Sequence, residues 1–269
     1  MTARIPVSVY LITLNEEQHL RRLLPQLADF AEIVVVDSGS TDQTQIIAQQ
    51  FSNVRFFTHA WRGFGIQKSF ALSLCSNEWV LNLDADEELT PAYLNELREC
   101  VTENLFDALE TRRKLLRWGR KPLSFEKDDV LIRLFRKSCG RYTDVKVHER
   151  ILVSGRVRKS SVYFLHHENL SFSQRMHKAN QYSQLKAEDK FAAGKSCSIL
   201  HLLLVFPMAF LKCYLFKGCV FDGTEGLLTS MNHAWYSFMK YAKLWELKQR
   251  SRTSQQSSFS KPGVLAAQK

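Results

Sequence analysis

IVVVDSGSTD, at residues 33–42, is the stretch that decides the fold. Its first four residues are all β-branched and apolar, which is the pattern of a strand buried on both faces of a sheet. WVLNLDADEE, at residues 79–88, has the same design, because a short apolar run leads directly into acidic residues. In an open parallel sheet, ligands bind outside the carboxyl ends of the strands. The two acidic clusters are therefore predicted to lie at one edge of one sheet, where a ligand binds.

The first hundred residues alternate strand and helix patterns. The predicted strands are Val7–Thr13, Ile33–Val36, Val54–Phe57 and Trp79–Leu83. The predicted helices are Glu17–Ala28, Thr41–Phe51, Phe64–Leu74 and one that begins at Thr90-Pro91, where threonine caps the helix and proline takes its favoured first position. Four strand–helix units in succession predict an α/β fold with a doubly wound, mostly parallel sheet.

The remainder of the chain has a different texture. Polar turns separate the predicted strands Asp107–Arg117, Val130–Arg136 and Ile151–Val157, and two helices are predicted at Ser171–Phe191 and Gly226–Gln249. We therefore divide the chain into a ligand-binding half at 1–105, a region of mixed strands at 106–170, a helical region at 171–249 and a disordered tail at 250–269.

The charge of the chain is strongly positive. Lys and Arg number 37 against 27 Asp and Glu, which gives a net charge of +10. Such a balance favours anionic partners, namely nucleic acid, a phosphorylated glycolipid or an anionic membrane surface. Nucleic acid is disfavoured because no established binding motif is present and an acidic cleft repels phosphate unless a metal is bound. The basic run at 112–121 is compatible with a solvated face or with phosphate binding.

Cysteine usage and the N-terminus both indicate a cytoplasmic location. The six cysteines are scattered without any C-x-x-C pair, which predicts reduced thiols rather than disulfides or a zinc site. The first apolar stretch, Val7–Leu14, contains Ser8 and Thr13 and is followed at once by polar residues, so it does not fit a signal peptide.

The most apolar segment of the chain is Ile199–Phe216. His201, Pro207 and Lys212 interrupt it, and its 18 residues are marginal for a membrane span. A buried helix or a helix lying on a membrane surface is the favoured interpretation. With the basic run at 112–121, it predicts a protein that is peripheral to an anionic membrane.

The D-x-D spacing of Asp84 and Asp86 has a chemical use. Two hard oxygen donors at this spacing can approach one divalent cation, directly or through its water shell. Mg²⁺ or Mn²⁺ held by one or two carboxylates completes its coordination with water and substrate phosphate oxygens. After a buried strand, the motif therefore indicates a site for a nucleoside diphosphate and its metal ion.

Three motifs in this order resemble the successive signatures of family 2 glycosyltransferases: ITLNE at 12–16, VVDSGSTD at 35–42 and LDADE at 83–87. Those enzymes are inverting and have the GT-A fold. The later Val147-His148-Glu149, Asp222-Gly223 and Lys240-Tyr241 are similar to one subgroup, the lipopolysaccharide inner-core β-glucosyltransferases that act on heptose.

The resemblance implies both a reaction and a location. A metal-dependent enzyme of this kind transfers glucose from UDP-glucose to a lipopolysaccharide core heptose, or to a similar lipid-linked sugar, with inversion. It is cytoplasmic and peripheral to the inner membrane. Residues 1–105 then form the nucleotide-sugar-binding half, and 106–170 the acceptor side with the catalytic base.

The resemblance also implies roles for individual residues. Donor-binding residues are Leu14, Asn15, Glu16, Asp37, Gln67, Lys68 and Asp84. Asp84 and Asp86 match the metal motif, with Asp86 the favoured direct ligand. His166-His167 follow an apolar segment, and one of them, for which we choose His166, is either a third ligand or a phosphate-binding group; the alternative is that both are ordinary polar histidines at a strand end.

The general base of this family is an acidic residue in the second half of the chain. Here the choice lies among Asp144, His148 and Glu149, and Glu149 is favoured because His-Glu recurs at this place in the resembling subgroup. An inverting reaction needs such a base, since the acceptor hydroxyl loses its proton as it attacks.

Two other classes of protein remain open. Sugar-phosphate nucleotidyltransferases also bind their ligand at the carboxyl ends of the strands of a similar sheet. Most of them have a glycine-rich loop after the first strand, whereas residues 13–17 of this chain contain no glycine. A non-catalytic, membrane-associated adaptor would use only the basic and amphipathic second half. Such an adaptor would be indifferent to the loss of Asp84 and Asp86.

Overall fold

The structure is a computed structural model that describes residues 4–117, 119–121, 128–142, 151–168 and 170–259, the last seven of these by their backbone alone. The chain forms two compact units. Among the described residues, the first comprises 4–117, 119–121, 128–142 and 151–168, and the second comprises 170–259.

The first unit alternates strands and helices before it becomes mainly β. Its strands are β1 (Ile5–Thr13), β2 (Phe30–Asp37), β3 (Val54–Thr58), β4 (Trp79–Asn82), β5 (Glu87–Glu88), β6 (Ala108–Leu116), β7 (Asp129–Arg136), β8 (Gly140–Tyr142), β9 (Ile151–Val153) and β10 (Val157–His167). Its helices are α1 (Glu17–Leu23), extended by a 3₁₀ turn at Leu24–Leu27, α2 (Thr44–Ala48), α3 (Phe64–Leu74) and α4 (Pro91–Glu103).

Eight strands form one sheet in the order β3-β2-β1-β4-β7-β6-β10-β5. The first four in this order are mutually parallel, and β6 is parallel to β10. β7 runs antiparallel to β4 and β6, β5 runs antiparallel to β10, and β8 and β9 pair separately. The predicted α/β class with a mostly parallel sheet and a mixed second part is therefore confirmed.

Helices cover both faces of the parallel strands. Val34 and Val36 pack with Ala71 and Leu72 of α3 on one face, whereas Ile33 and Val35 belong to the larger core on the other face. All four β2 residues are inaccessible to solvent. Burial on both faces is what an uninterrupted β-branched run requires, and it makes the sheet doubly wound.

The helix after β2 is shorter than predicted. It covers Thr44–Ala48 rather than Thr41–Phe51, because the residues before it serve the loop. The backbone N–H of Thr41 donates to Oδ1 of Asn15 at 2.9 Å, and Asp42 Oδ1 accepts the N–H of Thr44 at 3.0 Å. Side chains that capture backbone donors in this way favour helix ends and turns.

The second unit is helical. It contains α5 (Phe172–Ala192), α6 (Ile199–Leu211), a π-helical turn at Lys212–Phe216, a 3₁₀ turn at Cys219–Asp222, and α7 (Gly223–Phe259). Ser171 and Gln174 form a capping box at the start of α5. Helix α7 continues ten residues past the predicted end at Gln249, into the segment predicted as a disordered tail. An i,i+4 ion pair between Glu246 and Arg250, at 2.5 Å, crosses that boundary and supports the helix.

Helix α6 is exposed rather than buried. Ile199–Phe216 has a mean hydropathy of 2.0, yet only 6% of the segment is buried, and by length and composition it is able to cross a membrane. The alternative in which it is a core helix is therefore wrong. The most exposed apolar side chains along the segment are those of Ile199, Leu200, Leu203, Met208 and Phe216. So large an exposed apolar surface marks an interaction site rather than ordinary protein surface.

Candidate functional site

The carboxyl ends of β1 and β2 are joined by a polar loop network. Asn15 follows β1 with a positive φ of 57°, a conformation that asparagine tolerates better than most residues. Its backbone N–H donates to Ser40 Oγ at 2.7 Å, while its side-chain oxygen accepts the N–H of Thr41. The two loops are thereby held side by side at the edge where the sequence places the ligand.

Asp37 organises the loop that follows β2. One carboxylate oxygen accepts the N–H groups of Gly39 and Ser40 at 2.8 and 2.7 Å. The other accepts the hydroxyls of Thr13 and Ser40 at 2.9 and 2.5 Å. Gly39 has a φ of 98°, so the turn that brings these groups to Asp37 needs glycine. The Asp37 side chain is 3% exposed, which leaves the loop backbone as the surface presented to a ligand.

Gln67 ties this loop to the neighbouring strand. Its amide nitrogen donates to Ser38 Oγ and to the carbonyl oxygen of His59, both at 3.0 Å, and its oxygen lies 2.8 Å from His59 Nδ1. Gln67 is fully buried in α3. The structure therefore places Gln67 behind the loop, where it connects the residue that follows β2 to the residue that follows β3.

Asp84 lies between two cations. Lys68 Nζ of α3 is 3.0 Å from Asp84 Oδ1, and Arg133 Nη2 of β7 is 2.7 Å from Oδ2. Burial by itself raises the pKa of Asp84, but the positive charges of Arg133 and Lys68 outweigh it and hold this pKa well below its ordinary range. Asp84 is thus an ionised carboxylate whose two oxygens both face basic side chains.

Beneath Asp84 lies a buried charge network centred on Arg133. Its guanidinium donates to Asn82 Oδ1 at 2.8 Å and pairs with Glu87, which is fully buried. Arg113 reaches the same carboxylate at 3.4 Å. Burial raises the pKa of Glu87 in spite of these cations, while Asp84 and Glu87 together raise the pKa of Arg133. The network fixes the turn that carries the D-x-D motif.

Asp86 faces β10. Its Oδ1 lies 3.2 Å from His166 Nδ1, a buried nitrogen that has no well-aligned hydrogen-bond partner among the described residues. The next histidine, His167, pairs through Nε2 with Glu88 at 2.7 Å. Two successive histidines thus meet two acids of the DADEE segment. This pairing arises because β10 lies antiparallel to β5, with His166 opposite Glu87.

The Asp86–His166 pair fits a divalent cation. Ligand atoms on adjacent positions of an octahedral ion with bonds of about 2.1 Å lie about 3 Å apart. The 3.2 Å between Asp86 Oδ1 and His166 Nδ1 matches that spacing, and a carboxylate oxygen is a ligand that suits Mg²⁺ or Mn²⁺. Within the described residues, no cluster of three or more acidic, histidine or cysteine side chains could hold a metal. A cation here would need additional ligands from a substrate and water.

The structure brings together most of the residues predicted to form the site. Leu14 is exposed at the end of β1, and Glu16 lies beside it, paired with His19 at 2.5 Å. Asp144, His148 and Glu149, among which the base was predicted, lie outside the described residues. The strands on either side of that segment, β8 and β9, pair with each other, and a hydrogen bond of 2.6 Å joins Tyr142 Oη to Tyr10 Oη of β1.

Sequence reasoning missed Arg133 and Glu87. A signal for Arg133 was present, since it occupies an inner position of the apolar run VLIRLF at 130–135. A charged residue inside a buried strand requires a charged or hydrogen-bonding partner. The acidic segment after β4 was the available source of that partner.

Comparison with known proteins identifies relatives over nearly the whole chain. The sequence profile described as glycosyl transferase family 2 matches residues 8–163. The lipopolysaccharide core biosynthesis glycosyltransferase LpsC of Rhizobium meliloti is 36% identical over 259 residues, which cover 91% of this chain and 94% of LpsC. An uncharacterised glycosyltransferase of Rickettsia prowazekii is 31% identical over 260 residues, covering 91% of this chain and 89% of that protein.

A solved structure shares the fold. TarS 1-349 of S. aureus, in complex with UDP-GlcNAc, aligns with a TM-score of 0.50 over 91% of this chain and 92% of that chain. The two sequences are 15% identical, so the similarity concerns the fold alone. Together with the family match, it confirms the predicted GT-A fold.

Proposed function

The chain belongs to glycosyl transferase family 2, and we propose that it transfers glucose from UDP-glucose, with inversion, to a heptose of the lipopolysaccharide core. The observation that carries the proposal is the meeting of Asp86 and His166, 3.2 Å apart, at the carboxyl edge of the parallel strands. The similarity to LpsC over nearly the full length of both chains supports the lipopolysaccharide core as the source of the acceptor.

The donor would bind along the carboxyl ends of β1, β2 and β4. The loops that begin at Leu14 and Ser38 present backbone groups at this edge, and Asp37, Asn15 and Gln67 hold them in place. The pairing of Lys68 with Asp84 places an ammonium group next to the D-x-D turn, where it complements the negative charge of a diphosphate.

Asp86 and His166 are the residues that we assign to a resident Mg²⁺ or Mn²⁺. When bound, such an ion neutralises the charge that develops on the departing diphosphate. Asp84 was also predicted as a ligand, but both of its oxygens face Lys68 and Arg133. We assign Asp84 to fixing these two cations and the turn, which agrees with the sequence-based preference for Asp86 as the direct ligand.

The acceptor hydroxyl needs a base to take its proton. Glu149 remains our prediction for this role, and Asp144 the next choice. A carboxylate within hydrogen-bond reach of the hydroxyl accepts the proton as the oxygen attacks the anomeric carbon from the face opposite the diphosphate. This assignment rests on the sequence, because both residues lie outside the described part of the chain.

A membrane-bound acceptor calls for a membrane-associated enzyme. The exposed apolar surface of α6 supports a peripheral position on the cytoplasmic face of the inner membrane. The basic run at 112–121 supplies less free charge than its composition suggests. Arg113 is engaged by Glu87 and Asp129, and Arg117 by Glu168.

A panel of nucleotide sugars tests the reaction directly. Purified protein is titrated by calorimetry with UDP-glucose, UDP-GlcNAc, GDP-mannose and ADP-heptose, each with and without Mn²⁺, and donor hydrolysis is followed in parallel. The proposal requires UDP-glucose to bind most tightly and only when Mn²⁺ is present. Preference for a donor other than UDP-glucose would overturn the donor assignment, and binding that is equally tight in EDTA would overturn the metal assignment.

A further inference from the structure

Three helices of the second unit meet at the ring of Tyr241. Lys190 near the end of α5 places its Nζ 5.0 Å from the centre of this ring, and Lys240 of α7 places its Nζ 4.9 Å from the same point. His201, in the first turn of α6, contacts the ring edge-on with the ring centres 4.2 Å apart. Lys240-Tyr241 is also one of the sequence motifs that the transfer site leaves unexplained.

Among the residues that the structure describes, no carboxylate neutralises the positive charge of this cluster. Three carboxylates of the helical unit pair with other cations: Asp189 with Lys186 at 3.2 Å, Glu225 with Arg175 at 2.5 Å, and Glu246 with Arg250 at 2.5 Å. No carboxylate among the described residues lies within ion-pair distance of Lys190 or Lys240. The aromatic faces of Tyr236 and Tyr241 give only the weaker stabilisation of a cation–π contact.

The surroundings of Lys240 disfavour its charged form. Burial, together with the positive charges of Lys190 and Lys186, lowers its pKa. A nearby anion would oppose this lowering, because a negative charge favours the charged form of an ammonium group. Two lysines that share one tyrosine ring, with no carboxylate within ion-pair distance among the described residues, form a cluster suited to an anionic ligand.

The cluster adjoins the exposed apolar helix. His201 lies in the same turn as Ile199 and Leu200, whose side chains are 73% and 64% exposed. Cations and tyrosine next to an exposed apolar helix are typical of a segment that lies in the interface of a membrane. A soluble anion would use the lysines but would leave the apolar surface in water.

We propose that Lys190, Lys240 and Tyr241 form a binding site for the phosphate of an anionic membrane lipid. The two ammonium groups pair with the phosphate oxygens, and the hydroxyl of Tyr241 is available as a further donor. The apolar side chains of α6 enter the acyl boundary beside the bound headgroup. This inference rests on the membrane part of the proposed function and does not depend on the transfer reaction.

Vesicle sedimentation tests the site with a matched pair of variants. The test variant is Lys190→Gln/Lys240→Gln, and the control is Lys159→Gln/Lys178→Gln, which removes the same charge at two exposed lysines. On vesicles of phosphatidylcholine with phosphatidylglycerol, we expect the test variant to bind at least about tenfold more weakly than wild type, and the control within about threefold. Circular dichroism verifies that both variants remain folded.

Further binding measurements identify the source of the phosphate and measure how much the apolar side chains of α6 contribute to vesicle binding. Vesicles of phosphatidylcholine alone should bind weakly, and inorganic phosphate should displace the protein only at high concentration. Leu203→Gln/Met208→Gln should remove the part of binding that resists high salt, because these exposed side chains carry the apolar contact.

The outcomes separate the site from the membrane proposal. Equal losses in the test and control variants would overturn the phosphate site while peripheral binding stands. Tight binding of inorganic phosphate, with no preference for phosphatidylglycerol vesicles, would overturn the lipid as the ligand. Absence of wild-type binding to anionic vesicles would overturn both the site and the membrane location, and it would leave sugar transfer unaffected.

Discussion

Two polar clusters, each organised around acidic side chains, lie at opposite ends of the same parallel strands. At the amino ends, Glu32 accepts hydrogen bonds from the hydroxyl of Ser8 and from the N–H and hydroxyl of Ser76, and it pairs with Arg55 at 2.5 Å. At the carboxyl ends, the DADEE segment follows β4, with Asp84 held by Lys68 and Arg133.

The two clusters differ in whether their acidic side chains have a full set of hydrogen-bond partners. Hydroxyl, backbone and guanidinium donors surround Glu32, which links β1, β2 and the turn before β4. At the carboxyl ends, Asp86 and His166 approach each other without a well-aligned hydrogen bond. A buried, paired carboxylate is therefore a poor marker of function by itself. The informative feature is a position at the carboxyl edge of the parallel strands, next to side chains such as Asp86 and His166 that lack a well-aligned hydrogen bond.

The largest expected effect is that of Asp86→Ala. We expect transfer to fall below detection while the thermal unfolding midpoint stays the same or rises, because a partly exposed carboxylate that we assign to a metal contributes little to the core. Glu32→Gln, in the opposite cluster, serves as the control and should keep its turnover. If Asp86→Ala retained wild-type transfer in EDTA, the two clusters would not differ in function as we describe.

Glu149→Gln should have the next largest effect. Loss of a general base typically lowers turnover by about two to four orders of magnitude. The affinity for UDP-glucose should change little, since we propose that the donor binds at the sheet edge and that the base serves the acceptor. Steady-state kinetics and donor titration together check both statements. Near-normal turnover would move the role to Asp144.

Removing the Arg133 side chain should lower the free energy of unfolding and not only the rate of transfer. Arg133→Leu leaves Glu87 buried without its main partner, which should lower the free energy of unfolding by about 3–5 kcal/mol. Arg133→Leu/Glu87→Leu should recover much of that loss. The exposed pair Arg98–Asp29 supplies the control, because Arg98→Leu should cost less than about 1 kcal/mol. Urea denaturation measures all three variants. No recovery in the double variant would contradict the buried network.

Glu32→Gln should show the smallest effect and a defined pH dependence. Burial alone would raise the pKa of Glu32, but hydrogen bonds from Ser76 and Ser8 and the pairing with Arg55 lower it to about 2. A carboxylate whose pKa is lower in the folded state stabilises the fold fully above its unfolded pKa of about 4.5. This stabilisation is lost as the pH falls through 2.

The stability difference between wild type and Glu32→Gln should therefore be about 2 kcal/mol near neutrality, allowing for the half-exposed Arg55. It should shrink as the pH falls from 4.5 toward 2. Denaturation at a series of pH values measures it. A difference that is independent of pH would show that Glu32 acts through packing rather than through its charge.

The sequence predicted the parallel half of the fold well because local patterns determine it. β-branched runs, short helical repeats and strand ends that lead into acidic residues are all local signals, and helix α3 was predicted at its observed bounds, Phe64–Leu74. The loop of Asp37 and the D-x-D turn could likewise be placed, because parallel strands bring their carboxyl ends to one edge.

The remainder depends on contacts that are distant in sequence. Arg133 meets Asp84 and Glu87 only because β7 inserts antiparallel beside β4, and no local pattern specifies that order. The exposure of α6 depends on which helix faces are left uncovered in the second unit. Composition alone could not separate a core helix from a surface helix in the Ile199–Phe216 segment.

The most direct test of the carboxyl-edge site is the binding of Mn²⁺ in the presence of UDP, followed by electron paramagnetic resonance. Three proteins are titrated: wild type, Asp86→Ala and Glu32→Gln. We expect wild type and Glu32→Gln to bind the ion with equal affinity, and Asp86→Ala to lose binding. Equal binding by all three proteins would contradict the assignment of the metal, and with it the functional difference between the two ends of the sheet.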